Sequence, residues 1–169
     1  ILYYKYFCTF AVKIEKSMFK FISFGSGSSG NCYYLWTEHD GLLIDVGVGI
    51  RSLKKHFRDY GLSLSLVHHL LVTHDHADHI KSVGSLSHEC QIPVYATPDV
   101  HDGIDRNYCI TRKLPASMKC FLEPGKTIQL GDFNITPFSV PHDATENVGY
   151  QIKAEGITFC IITDAGSIT

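Results

Sequence analysis

The sequence predicts an α+β domain, and three observations carry that expectation. Short apolar runs separated by Gly/Ser turns open the chain between residues 19 and 45. Helical periodicities then alternate with apolar runs as far as residue 106. From residue 127 to 163 only strand patterns remain.

The first elements read as strands at 19–24, 32–37 and 42–45, joined by the glycine-rich run Gly25 to Gly30 and a second turn, which together make a β-meander. The Gly25 to Gly30 run could cradle a phosphate through its N–H groups, but it leads into a strand rather than a helix, which favours a tight hairpin. Ile50, Leu53, Phe57 and Tyr60 then recur at helical spacing, with basic residues between them and Gly61 as a C-terminal stop. A buried strand is expected at 69–73, apolar through Leu70, Leu71 and Val72, and the polar run from His74 to His79 interrupts it.

Ile80, Val83 and Leu86 mark a second helix, and Val94 to Ala96 a short strand. Thr97 and Pro98 fit the N-cap and first position of a third helix. Residues 107–119 read as loop. The remainder reads as strands at 127–130, 133–140, 148–154 and 157–163, with Gly131-Asp132 and Glu155-Gly156 as turns. Internal repeats, low-complexity segments and linkers are missing from the sequence, which reads as one domain or a piece of one.

With 169 residues, 44% of them hydrophobic and 19% charged, the composition is that of a soluble globular domain. A net charge of -2 supplies no global basic field to draw the chain onto nucleic acid or an anionic membrane, although bound divalent cations would add local positive charge. Cys8, Cys32, Cys90, Cys109, Cys120 and Cys160 are scattered, without C-x-x-C pairs, so reduced thiols and a cytoplasmic setting are expected.

The first 17 residues are apolar but broken by Lys5, Lys13, Glu15 and Lys16, short of the ~20 apolar residues of a membrane span. They fit a signal peptide poorly too, since no small-x-small cleavage site follows. Because Met18 stands directly before the first strand pattern, residues 1–17 are expected to lie upstream of the natural start, with the domain at 18–169.

His74-Asp75-His76-Ala77-Asp78-His79 places three imidazoles and two carboxylates within six residues, directly after an apolar strand. Imidazole and carboxylate suit Zn²⁺ and its neighbours, and two ions ~3.5 to 4 Å apart require more ligands than one helix face supplies. His74 and His76 can reach one ion, while Asp78 and His79, at the start of the next helix, reach a second. The competing reading is a solvated polar loop in which Asp78 merely caps a helix. His142, past the strand at 133–140, and Asp164, past the strand at 157–163, can complete the set, and a carboxylate there can bridge two ions. Taken alone, each is an ordinary loop residue.

Thr73-His74-x-His76-x-Asp78-His79, the strand-end Asp45, His142 and Asp164 together resemble the ordered motifs of the metallo-β-lactamase superfamily. The stretches Phe24 to Tyr34, Leu43-Ile44-Asp45-x-Gly47, Ile92 to Thr97 and Pro141-His142-Asp143-Ala144 are similar to its YycJ-type (WalJ) branch, associated with 5′-to-3′ exonuclease activity on DNA. This resemblance implies an αβ/βα four-layer sandwich, of which the chain covers the first half and the beginning of the second. It implies His74, His76 and His142 on the first metal, Asp78 and His79 on the second, and Asp164 bridging. Asp45, with Thr73, would orient the ligand loop. Superfamily members add a further His from beyond the equivalent of Asp164, so the chain is expected to be truncated, with an exposed sheet edge.

The expected reaction is hydrolysis, with two metals lowering the pKa of a shared water while Asp78 and Asp164 hold them in register. DNA is the expected substrate, with no membrane partner and Zn²⁺ ahead of Mn²⁺ or Fe²⁺. A thioester, lactone or β-lactam substrate is the alternative, since the same ligands serve many reactions. A metal-binding module without catalysis is the third reading.

Overall fold

In the computed structural model, which describes residues 18–141 and 146–165, strands β1 (Lys20–Gly25), β2 (Cys32–Trp36) and β3 (Gly41–Ile44) form the expected antiparallel meander. Residues 1–17, His142 and residues 143–145 and 166–169 lie outside the described residues. Side chains alternate across the meander, as strand geometry requires. On one face Phe21 packs against Tyr33, with ring centroids 6.3 Å apart. On the other, Tyr34 stacks on Trp36 at 4.9 Å and meets Phe57 of helix α1 (Ile50–Asp59), also at 4.9 Å.

Beyond β3 the sheet turns parallel, and each parallel step needs a crossover. Helix α1 links β3 to β4 (Val67–Leu71), α2 (Ala77–Ile80) and α3 (Val83–Cys90) link β4 to β5 (Val94–Ala96), and α4 (Pro98–Arg106) leads toward β6 (Lys119–Phe121). The six strands run β1-β2-β3-β4-β5-β6 across the sheet. All four residues of β3 are buried, because a strand covered on both faces reads as a continuous apolar run.

Strands β7 (Ile128–Leu130), β8 (Phe133–Ser139), β9 (Val148–Ala154) and β10 (Ile157–Ile161) build a second, antiparallel sheet in the order β10-β9-β8-β7. The sheets share one core through Phe19 against Phe133 and Phe21 against Phe159, and the Tyr150 hydroxyl donates to the Val72 carbonyl at 2.5 Å. At the far end Asp40 joins them, accepting from Asp132 N at 3.1 Å while contacting His68 Nδ1 at 2.7 Å and His69 Nε2 at 3.2 Å. His68 and His69 are thus structural.

Thr97 caps α4 through Val100 N, with Pro98 in the first turn. Three details differ from the sequence reading. Strand β4 begins at Val67, because His68 and His69 are held at its open end by Asp40. The helix expected around Ile80 to Leu86 is two helices, since Ser82 breaks it by donating N–H to Val46 O and Oγ–H to Val48 O. Strand β6 lies at the end of the stretch read as loop. Among the described residues it pairs with β5 alone and leaves Phe121 exposed, so neither length nor alternation announced it.

Candidate metal centre

The loops that leave β3, β4 and β10 meet at one end of the two sheets, where strand carboxyl ends commonly present ligands in α/β architectures. After β3, Asp45 adopts φ 58 and is fully buried. Its Oδ1 accepts from Thr73 N at 2.8 Å, and its Oδ2 accepts from Thr73 Oγ1 and His79 Nδ1, both at 2.7 Å. Thr73 thereby spends its proton on Asp45, so its Oγ1, 3.0 Å from His74 Nδ1, serves that ring as an acceptor. The hydrogen-bond network therefore assigns both buried imidazoles an Nδ1–H and leaves Nε2 directed at a common point.

That point is Asp164, which also takes a left-handed backbone, φ 50, just after β10. Its Oδ2 lies 3.5 Å from His74 Nε2 and 3.4 Å from His79 Nε2. His76 is the N-cap residue of α2, with its ring 4.6 Å from that of His74, and Asp78 sits in the first turn of α2 with Oδ2 3.8 Å from His79 Nε2. Two sets of donor atoms result, one from His74, His76 and Asp164 and one from Asp78, His79 and Asp164, each within 4.8 Å of one another. The structure thus gathers five of the six residues singled out in the sequence as ligands, with Asp45 and Thr73 behind them. The sixth, His142, lies outside the described residues.

Electrostatics favours a cation here. Burial, reinforced by His79 and His76 and opposed by Asp45 and Asp164, pushes the His74 pKa down to about 4, so its imidazole is neutral and ready to ligate near pH 7. Burial also depresses His79, but hydrogen bonding to Asp45 and the charges of Asp45, Asp164 and Asp78 outweigh it and raise its pKa. The pocket therefore favours positive charge on His79 until another cation supplies it. The thiol of Cys32, which feels the charge of Asp45, is pushed well up by burial and by that charge, which keeps it protonated. Imidazole and carboxylate without thiolate fit Zn²⁺, Mn²⁺ or Fe²⁺.

The sequence admits Asn31, with Ser28 and Ser29, as a residue that could face the metal site and touch substrate, without singling it out. Asn31, buried behind the glycine hairpin, places Nδ2 2.9 Å from His79 Nε2 and 3.2 Å from Asp78 Oδ2, and its backbone N–H donates to Asp78 O at 2.7 Å. Its only signal in the sequence was its place after Gly30, itself at φ 139 and packed against the Gly47 backbone.

A family model for the beta-lactamase superfamily domain matches residues 41–169. The chain belongs to that superfamily. Its superfamily relatives include exodeoxyribonuclease YycJ of Bacillus anthracis, 31% identical over 144 residues that cover 85% of this chain and 53% of the relative. Exodeoxyribonuclease WalJ of Streptococcus pneumoniae is 31% identical over 151 residues, covering 89% of this chain and 56% of the relative. The chain therefore spans about half the length of the curated relatives it matches. Among solved structures, the MIM-2 metallo-β-lactamase superposes with a TM-score of 0.68 at 18% identity, over 89% of this chain and 61% of that one. At that identity the match speaks for the metallo-β-lactamase fold alone, and the fold family implies divalent metal.

Proposed function

We propose that residues 18–169 carry the metal-binding part of a hydrolase that cleaves DNA phosphodiester bonds, progressing from 5′ to 3′, with two divalent ions, Zn²⁺ foremost. The observation that supports this best is the position of Asp164, whose carboxylate belongs to both donor sets and whose Oδ2 faces Nε2 of both His74 and His79. The names of the YycJ and WalJ relatives favour DNA over other hydrolysable substrates. No helix among the described residues is long and apolar enough to cross a membrane, and the relatives' activity fits a cytoplasmic setting.

In this reading His74, His76 and Asp164, with His142, hold one ion, and Asp78, His79 and Asp164 hold the other. Bound there, the ions supply Lewis acidity that lowers the pKa of water and neutralises charge on the phosphate. The protein's part is orientation. Asp45 and Thr73 lock the tautomers of His74 and His79, Asn31 holds Asp78 against the glycine hairpin, and Asp164 with Asp78 sets the spacing of the two sets.

Degradation of end-labelled duplex DNA in Mn²⁺ or Zn²⁺ tests the reading, with Asp78→Ala as control. Release by the parent and a loss of at least about 100-fold in the variant support it. An inert parent that holds two ions would transfer the reading to a thioester, lactone or β-lactam substrate, and one that turns over none of these would be a metal-binding module.

A further inference from the structure

Beside the metal centre a surface cleft runs away from Asp78, walled by Ser28 and Ser29 of the glycine hairpin and by Lys81 and Cys109. Lys81 and Cys109 also wall a second cleft, which continues to Arg51 and Thr111. The two clefts therefore adjoin at Lys81 and Cys109, and together offer a groove from a candidate metal ligand to the first turn of α1.

The chemistry along this path is that of an anion track. Among the described residues, Asp78, at its start, is the only acidic one lining either cleft. Lys81 and Arg51 are both exposed, and among the described residues the lysine ion pairs engage Lys54, Lys55, Lys119 and Lys126, leaving these two cations uncompensated. The first turn of α1 carries no acidic side chain to compete for them. The hairpin opposite is fixed, because Asn31 Oδ1 accepts from Gly27 N at 2.9 Å and its Nδ2 donates to Gly27 O at 3.1 Å. Two unpaired cations, flanking hydroxyls and a rigid rim suit a chain of phosphodiesters better than a neutral ester or a peptide. A net charge of -2 makes a local track of this kind necessary if the protein is to hold nucleic acid.

We propose that this groove binds the backbone of the substrate strand. Lys81 holds the phosphate next to the metal centre and Arg51 the one beyond it. The inference rests on the proposed action on DNA and adds where the strand lies.

Binding of a 5′-fluorescein single-stranded oligodeoxynucleotide, followed by anisotropy in EDTA over a salt series, separates the two claims. The double variant Lys81→Ala/Arg51→Ala is expected to bind about tenfold more weakly. Its log-affinity against log-salt slope should be shallower by about 1.4, the share of two phosphates on a single strand. Lys81→Arg should retain parental binding, which a merely structural role for Lys81 would not predict. If the parent binds and the double variant matches it in affinity and slope, or if the parent binds no oligonucleotide, the groove assignment is wrong. Groove-dependent binding by a metal-loaded parent that never cuts DNA would overturn the proposed reaction and leave the groove standing.

Discussion

The Asp45 carboxylate and the His79 imidazole meet at 2.7 Å with neither side chain reaching solvent. The same carboxylate accepts the N–H and the hydroxyl of Thr73, so one buried anion fixes the start and the end of the ligand loop.

Asp45→Asn replaces one acceptor oxygen with an NH₂ that faces donors. We expect it to weaken metal binding by about 10- to 100-fold, as loss of a carboxylate behind a ligating histidine does. Asp45→Ala, which abandons three buried donors, should also cost on the order of 3–5 kcal/mol of stability. Metal titration and urea unfolding measure the two effects. Parental affinity in a folded Asp45→Asn protein would show that the ligand loop holds itself.

Gly47 is where the loop after β3 touches the ligand loop. A Cβ on Gly47 would lie 1.6 Å from the Asp78 carbonyl oxygen, which also accepts from Asn31 N. Gly47→Ala must push α2 away, so a loss of about 1–3 kcal/mol is expected, with weaker metal binding alongside. Calorimetric melting with and without Zn²⁺ checks it, and an unchanged melting temperature would contradict the close packing described.

Protonation should destabilise the metal-free protein through histidines held neutral away from the metal centre. Burial, opposed by a backbone bond to Cys120, lowers His101, and burial, opposed by Asp40, lowers His69 from the ordinary 6.5. Folded, each binds fewer protons than unfolded, so its contribution is complete above pH 6.5 and is lost as pH falls toward the lowered value. His79, raised, runs the other way, which makes the comparison between variants more telling than the raw curve. Urea midpoints at pH 7.5 and 5 should therefore differ less in His101→Gln than in the parent. Equal differences would remove His101 from the account.

Much of this was legible in the residues themselves. The meander, α1 and the Thr97 cap follow from alternation, periodicity and side-chain oxygen, all local signals that the fold does not override. The clustering of candidate ligands was legible because His74 to His79 break an apolar strand with groups that a packed core has no use for. Strand β6 and the break at Ser82 were not, because a three-residue edge strand and a helix stop made by Val46 and Val48 carbonyls depend on neighbours distant in sequence. Asn31 could be placed near the site by the glycine run, but its role was not legible for the same reason, since its partners Asp78 and His79 lie 47 and 48 residues away.

In the proposed site Asp164 serves two ions at once, and metal content measures this. Dialysed protein titrated with Zn²⁺ should take up two ions per chain by elemental analysis. Asp164→Ala should retain at most one, with the affinity of that one reduced by about 10- to 100-fold. A parent that saturates at one ion, or an Asp164→Ala protein that still holds two at parental affinity, would contradict the bridged site.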